Sequence, residues 1–451
     1  MGDPEPLDPA RRKKLSERVA GQILAEIASR EWPLGQLIGT EAELMARFSV
    51  SRGTLSEAIR QVERHGVAEM RRGGSGGLVV SGSALTSTSR AISTYLELCN
   101  VSMDEHYEAS RVLEVQAFRL ASARLTDEDC VELRDIAAGL DEGGFADFLR
   151  RSVQLRFRIA DLSGNPALGL FIRAMARIVT HYVRPDLQPL GAQGGWRRAQ
   201  TADIRALVES LVAGDAAHGE QAALAELGRR ERAARALSAG RPVLTPGDLR
   251  RDTVQKRGEQ LAFEIMADVA KAGWAAGHRI GDESGLIQHY GVSPWIFRQA
   301  VRILEPHEVI WMKRGRRGGL FVGAPTPDYT IESAATFLES VSVGPREVYA
   351  GYAELMAVVA QLGVERAAQD ERPAFRTVAI EQHLLRASRN QLLSLFGAIL
   401  HRLLARKAAD ETDGLIAVRD LLCRAATDGD GPLTRRRMGR YLRALYPSLS
   451  G

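Results

Sequence analysis

Cysteine is scarce in this chain. Cys99, Cys130 and Cys423 are the only three among 451 residues. Scattered and odd in number, they exclude a disulfide framework and the paired spacing of a zinc site. Long apolar runs are missing too. None approaches the roughly 20 residues of a membrane span, and the N-terminal MGDPEPLDPARRKK has no apolar signal core. These absences point to a chain of the reducing cytoplasm with no membrane partner. Charge of one sign is not in large excess: 60 Lys and Arg face 56 Asp and Glu, a net +4. A nucleic-acid partner therefore has to be argued from where the arginines sit, not from their total. The nine histidines form no ligand cluster, and no nucleophile, base and acid come together as an enzyme requires. Gly73-Gly74-Ser75-Gly76-Gly77 matches a hydrolase elbow in letters, but that elbow needs a strand before it and a helix after it. No enzyme is expected, and no cofactor.

What is present is a repeat. Residues 30–80 overlay on 272–322 without a gap, 242 residues apart, with 20 identities, against about three by chance. They include Trp32/Trp274, Gly35/Gly277, Glu41/Glu283, Leu44/Leu286, Ser51/Ser293, Arg60/Arg302 and Gly76/Gly318. The period is far too long for a solenoid. It reads as two fused copies of one ancestor, in a chain too long for a single core.

Each copy has the same local order. Val19, Ile23, Leu24 and Ile27 recur at helical spacing. Trp32-Pro33-Leu34-Gly35 breaks that helix, and Thr40 with Glu43 forms a capping box for the next. Ser51 starts a third helix, which buries Leu55, Ile59 and Val62. Two short extended pieces then flank the basic, glycine-rich turn Arg71–Gly77. Helix, helix, turn, helix and hairpin make a winged helix-turn-helix, whose third helix enters a major groove while the wing lies on the backbone or minor groove. The second copy repeats this order, with the wing Lys313-Arg314-Gly315-Arg316-Arg317-Gly318-Gly319. Residues 88–238 and 328–450 read as helix throughout, and AGRPVLTPGDLR at 239–250 is a linker.

The segments TEAELMARFSVSRGTLSEAIRQVERHGV and GGSGGLVV resemble the GntR family of bacterial transcription regulators, in particular its FadR-type branch. HYEASRVLEVQAFRLASARLTDEDCVELR resembles the start of that family's effector-binding FCD domain, with LSGNPALGLF and LVESLVAGDAA as later landmarks. REVYAGYAELMAVVAQLGVERA, RNQLLSLFGAILHRL and RRRMGRYL echo the three landmarks in the second copy. The resemblance implies a mainly α fold. Two winged helix-turn-helix domains (11–82 and 250–324), each with a small two-stranded wing, alternate with two all-helical FCD-like bundles (88–238 and 328–448). Family members work as homodimers, so a fused tandem implies a pseudo-dimer in one chain, either monomeric or dimerising again.

The resemblance also implies site residues. DNA contacts are expected from Thr40, Glu41, Ser51, Arg52, Thr54, Ser56, Arg60, Arg71, Arg72 and Gly76 in the first reader. In the second they are expected from Ser293, Trp295, Arg298, Arg302, Lys313, Arg314, Arg316, Arg317 and Gly318. The family places two arginines four apart on the recognition helix. The first copy keeps Arg52 but has Ser56, and the second has Pro294 but keeps Arg298. Losing one guanidinium per reader should make the two half-sites differ. Trp295 either meets a thymine methyl or packs on a sugar. The family's metal ligands, an Asp and three His, fall on Ser152, Arg156, Ile204 and Glu226, and in the second copy on Thr377, Glu381, Arg419 and Tyr441. Neither set suits a transition metal, so no metal is expected. Arg111, Ser152, Arg156 and Glu226 remain as effector-binding candidates, with Arg156 either holding an acidic effector directly or pairing with Glu226. The function implied is a DNA-binding transcription regulator, a repressor that a small molecule controls, reading an imperfect palindrome as its operator. The other reading is an interaction or scaffold protein in which only one reader touches DNA.

Overall fold

A computed structural model describes residues 9–29, 35–64, 68–71, 76–80, 84–99, 101–183, 194–238, 257–313, 315, 318–341, 343–377, 379–405 and 412–450. In chain order the first half contains α1 (Pro9–Ser29), β1 (Leu37–Gly39), α2 (Glu41–Phe48), α3 (Arg52–Arg64), β2 (Ala68–Arg71), β3 (Gly77–Val80) and α4 (Ala84–Leu98). Helices α5 (Met103–Ser122), α6 (Asp127–Ala138), α7 (Phe145–Leu162), α8 (Pro166–Val183), α9 (Gly194–Val212) and α10 (Ala216–Ser238) follow. The second half contains α11 (Arg257–Ala272), β4 (Arg279–Gly281), α12 (Glu283–Tyr290), α13 (Pro294–Leu304), β5 (Ile310–Lys313), β6 (Gly319–Val322) and α14 (Asp328–Ser340). It ends with α15 (Pro345–Arg366), α16 (Ile380–Ala387), α17 (Gln391–Leu404), α18 (Asp413–Asp428) and α19 (Gly431–Leu445). Among the described residues the protein is mainly helical with two small antiparallel sheets, and the contacts divide it into two compact units.

One unit comprises Met1–Ile92 and Arg279–Ser342. Its first part buries Val19, Ile23 and Ile27 of α1 against Leu44, Leu55, Ile59 and Val62, under Leu78 and Val80 of the sheet. The wing is not a bare hairpin: β1 adds a third strand, in the order β1-β3-β2, and β4-β6-β5 has the same order. The added strand depends on glycine. A Cβ on Gly77 would stand 2.6 Å from the Gly39 carbonyl oxygen, and one on Gly319 would stand 2.3 Å from that of Gly281. Each wing is also bonded back to the end of the preceding helix, because the Met70 amide donates to Glu63 Oε1 in α3 and the Met312 amide to Oε1 of Glu305, the residue just past α13, both at 2.9 Å. Within this unit α1 packs against both α3 and α14.

The other unit comprises Ser93–His278 and Val343–Gly451. Among the described residues 88–238 hold helices and no strand, as their periodicity implies. Helix α5 packs on α7, α8 and α10, and α15 packs on α16, α17 and α19. The two sets meet where α5 contacts α15 and α17 and α8 contacts α15. The contact is reciprocal. Asn165 Oδ1 caps the start of α8, and its Nδ2 donates to the Glu347 carbonyl at 3.2 Å. Asn390 Oδ1 caps the start of α17, and its Nδ2 donates to the Glu105 carbonyl at 3.0 Å. Phe171 of α8 stacks on Phe396 of α17 with centroids 4.1 Å apart, both rings fully buried. Arg366 closes the edge through a bidentate pair with Glu108.

Two measurable consequences follow from this packing. Phe171→Ala and Phe396→Ala should each cost about 3–5 kcal/mol in denaturant unfolding. In the double variant the losses should be less than additive by roughly 0.5–1.5 kcal/mol; full additivity would mean that the rings do not share one contact. Gly77→Val should lower stability by about 1–3 kcal/mol through overpacking against β1, read as a fall in Tm.

Candidate nucleic-acid interface and effector cavity

The reader frame starts with a cap. Thr40 Oγ1 accepts from the Glu43 amide at 3.3 Å, and Glu43 Oε2 accepts from the Thr40 amide at 2.8 Å. This fixes the entry to α2. Ser49 then turns the chain in the left-handed region (φ 50), as Gly291 does in the second reader (φ 59). Ser51 Oγ accepts from the Thr54 amide at 3.3 Å and lies 3.0 Å from Thr54 Oγ1. Ser293 Oγ accepts from the Ile296 amide at 3.3 Å. Pro294 follows at the first helical position, where no amide donor is needed.

Most expected contact residues lie on the surface: Ser51, Arg52, Ser56, Arg60, Arg71, Trp295, Arg298, Arg302 and Lys313 are exposed. Thr54 is the exception. At 1% exposure its hydroxyl is sealed against Ser51, so the expected contact is corrected to a positioning role. Thr40 is likewise spent on its cap. Gly76 and Gly318 are half-buried, and the Gly318 carbonyl accepts from Arg279 at 2.9 Å. Arg72, Arg314, Arg316 and Arg317 lie outside the described residues.

The arginines show a regularity that the sequence hides. Arg52 makes a two-pronged pair with Glu41, Nε to Oε1 at 2.8 Å and Nη2 to Oε2 at 3.2 Å. Arg298 Nε donates to Glu283 Oε1 at 3.1 Å. Glu41 and Glu283 are the same position of the repeat. One glutamate at the start of α2 or α12 thus holds a guanidinium that starts from the first turn of one recognition helix and from the second turn of the other. Such exposed pairs contribute about 0–1 kcal/mol, so a phosphate or guanine edge can take the guanidinium over at little cost. Arg60 pairs with Glu57 at 2.9 Å.

The helical unit holds a cavity between α5, α7, α8, α9 and α10. Its polar end is formed by Glu114, Ser152, Arg156 and Glu226, and ten of its fourteen lining residues are apolar. Three of the four expected effector residues are therefore brought together. Arg111 is not: it is exposed and bonded to Glu231, a correction caused by its place on the outer face of α5. Glu226 does not pair with Arg156 either. It accepts from Arg230 Nε at 2.9 Å and from Gln200 Nε2 at 2.7 Å, while Arg230 Nη2 donates to Glu114 at 2.5 Å. Burial raises the Glu114 carboxyl, but Arg230 and Arg156 together bring it below its ordinary value. Burial leaves Glu226 above its own, only partly offset by Arg230. The only hydrogen bond that Arg156 makes among the described residues is from Nε to the Ser152 carbonyl at 3.4 Å. His106, 3% exposed beside this network, has Nδ1 buried without a partner, and burial pushes it down to about 3. Arg230 and Gln200 were not singled out from sequence, while His106 reads there as an isolated helical histidine with a core or surface role; the one available signal was the four-residue spacing of Glu226 and Arg230 on a helix.

Residues 15–78 match the family model described as bacterial regulatory proteins, gntR family, and residues 105–229 match the FCD domain. The chain is 30% identical over 170 residues to the HTH-type transcriptional repressor NanR of Cronobacter sakazakii, covering 35% of this chain and 62% of that protein. It is 29% identical over 171 residues to the protein of the same name from Salmonella newport, covering 35% and 62%. The chain thus spans less than two thirds of the length of these curated relatives. Among solved structures, a Streptococcus agalactiae GntR protein aligns at 19% identity with a TM-score of 0.37, covering 48% of this chain and 99% of that one. Escherichia coli McbR/YncC aligns at 15% identity with a TM-score of 0.27, covering 49% and 98%.

The buried imidazole gives a pH dependence. His106 is neutral when folded down to about 3, whereas an unfolded histidine takes up a proton near 6.5. Between those values the unfolded chain binds the extra proton, so stability falls as pH falls, by about 1.4 kcal/mol per unit. Unfolding measured at pH 7 and pH 5 should show a larger loss for the parent than for His106→Gln. Equal losses would mean that His106 is not held neutral.

Proposed function

We propose that this chain, whose N-terminal half joins a gntR-family DNA-binding module to an FCD domain, is a sequence-specific transcription regulator. It is a ligand-responsive repressor working in the cytoplasm, and it acts by binding DNA rather than by catalysis. Its four domains follow the limits 11–82, 88–238, 250–324 and 328–448. Two winged helices of one chain read the two halves of an imperfect palindrome, and the paired helical halves replace the usual dimer contact. Repression is the sense carried by the name of the curated relatives. The single observation that carries the reading is a surface arginine tethered to the same repeat position in each reader, Arg52 on Glu41 and Arg298 on Glu283. Exposed guanidinium groups in the first two turns of a recognition helix suit guanine edges and phosphates. An effector in the cavity acts only so far as it binds one arrangement of the readers better than another.

A second reading is favoured by one feature of the second reader. Trp295 is 67% exposed, and Trp311, 43% exposed, stacks on Phe321 at 4.4 Å. The repeat positions in the first reader are Gly53, Glu69 and Val79. These aromatic surfaces suit a protein partner, with only the first reader on DNA.

Operator binding by the full chain separates the two. Arg52→Ala and Arg298→Ala should each weaken binding by roughly tenfold, about 1–3 kcal/mol, and each should relax base preference in one half-site only. Combining Arg298→Ala with Arg316→Ala and Arg317→Ala should also flatten the salt dependence. Full affinity and specificity in that triple variant would overturn the two-reader proposal in favour of the second reading.

A further inference from the structure

The two helical halves have opposite chemistry at matched places. The landmarks Ser163-Gly164-Asn165 and Ser388-Arg389-Asn390 place Arg156 opposite Glu381, and Gly214-Asp215 and Gly429-Asp430 place Glu226 opposite Tyr441. In the first half Arg156 lines a cavity. In the second, Glu381 is 7% exposed and accepts from the Tyr352 hydroxyl at 2.6 Å. Tyr352, Tyr441 and Tyr446 are all buried around it; burial pushes the Glu381 carboxyl above its ordinary value, only partly offset by the hydroxyls of Tyr352 and Tyr441. At the place matched to the first half's cavity, the second half packs buried tyrosines on a buried carboxyl.

The walls of the space select among ligands. Arg230 is committed to two carboxylates, which leaves Arg156 as the cation lining the cavity that has no ion pair among the described residues. Glu114 and Glu226 line the same space and would repel a second negative charge. Beyond this polar end the wall is Ile159, Ile172, Ile204 and Leu207, which can satisfy no hydroxyl groups. The cavity volume is about 30 Å³, more than the roughly 10–15 Å³ that one water needs, so the fit is to a compact molecule. A Gln200 amide oxygen, buried without a partner, stands beside Glu226.

We propose that the cavity takes one small monocarboxylate with an apolar body, its carboxylate on Arg156 and no metal between them, and that the second half takes none. This deepens the ligand-responsive reading and rests on it. Dicarboxylates fail on charge, and sugar acids fail for want of hydroxyl partners along the apolar wall.

The test is calorimetry on the full chain with hexanoate, benzoate, citrate and gluconate, each after chelator treatment and again with added zinc. Hexanoate or benzoate should bind at one per chain, with no change on adding zinc. Arg156→Gln should weaken that binding by roughly tenfold or more, and Arg156→Lys should restore part of it. Ile204→Phe, which fills the apolar end and leaves Arg156 in place, should also remove binding, so the test survives if the Arg156 variants do not fold. Tighter binding of gluconate or citrate, two acids per chain, a need for zinc, or no binding of any monocarboxylate at millimolar concentration would each overturn the proposal. Operator binding by the unaltered chain is measured without acid, and its absence would count against the regulator reading alone.

Discussion

The reciprocal contact between the two helical halves is what the rest of the molecule depends on. Phe171 and Phe396 bury their faces on each other, and Asn165 and Asn390 each cap one helix while bonding the backbone of the opposite half. A buried amide that serves both purposes is costly to strand, because its partners lose their hydrogen bonds together. The first half therefore completes its core only by meeting the second. On the proposed reading this contact does within one chain what association does between two, and removes the concentration dependence of assembling a pair of readers.

On the proposed reading the two halves need not be identical, and they differ in physical character. One keeps a cavity with a guanidinium at its polar end, and the other has filled the matching place with tyrosines around a buried carboxyl. The readers diverged as well, yet under a tighter constraint. Left-handed turns at Ser49 and Gly291, serine caps at Ser51 and Ser293, and glycines where β3 and β6 pass beneath β1 and β4 recur in both. Backbone requirements of this kind admit few residues, whereas an exposed helix position admits many. Arg52 is accordingly matched by Pro294 and Ser56 by Arg298, while the tethering glutamate is the same in both.

The same distinction decides how much was legible in the sequence. Helix order, the capping box at Thr40 and the turn before Ser51 were readable because caps and left-handed turns restrict residue choice locally. The third strand of each sheet was not. Leu37–Gly39 is three residues long, too short for alternation to show, and its pairing is set by the distant Gly77. At the candidate site, the alignment of family landmarks brought Ser152, Arg156 and Glu226 into one cavity although no local pattern joins them. It failed for Arg111, because which face of α5 lies inward depends on α10, and for Thr54, because a hydroxyl at a helix start serves a cap as readily as a contact. Arg230 was overlooked because a Glu-Arg pair four apart on a helix looks the same whether it faces water or, as here, a buried Glu114.

The central claim is that one chain carries two working readers held by an internal pair of helical halves. The most direct measurement is the mass of the complex that the chain forms on its best genomic site, taken together with a footprint of that site. The account requires one chain per site with both halves of an imperfect palindrome protected. Two chains per site, or protection confined to one half, would contradict it.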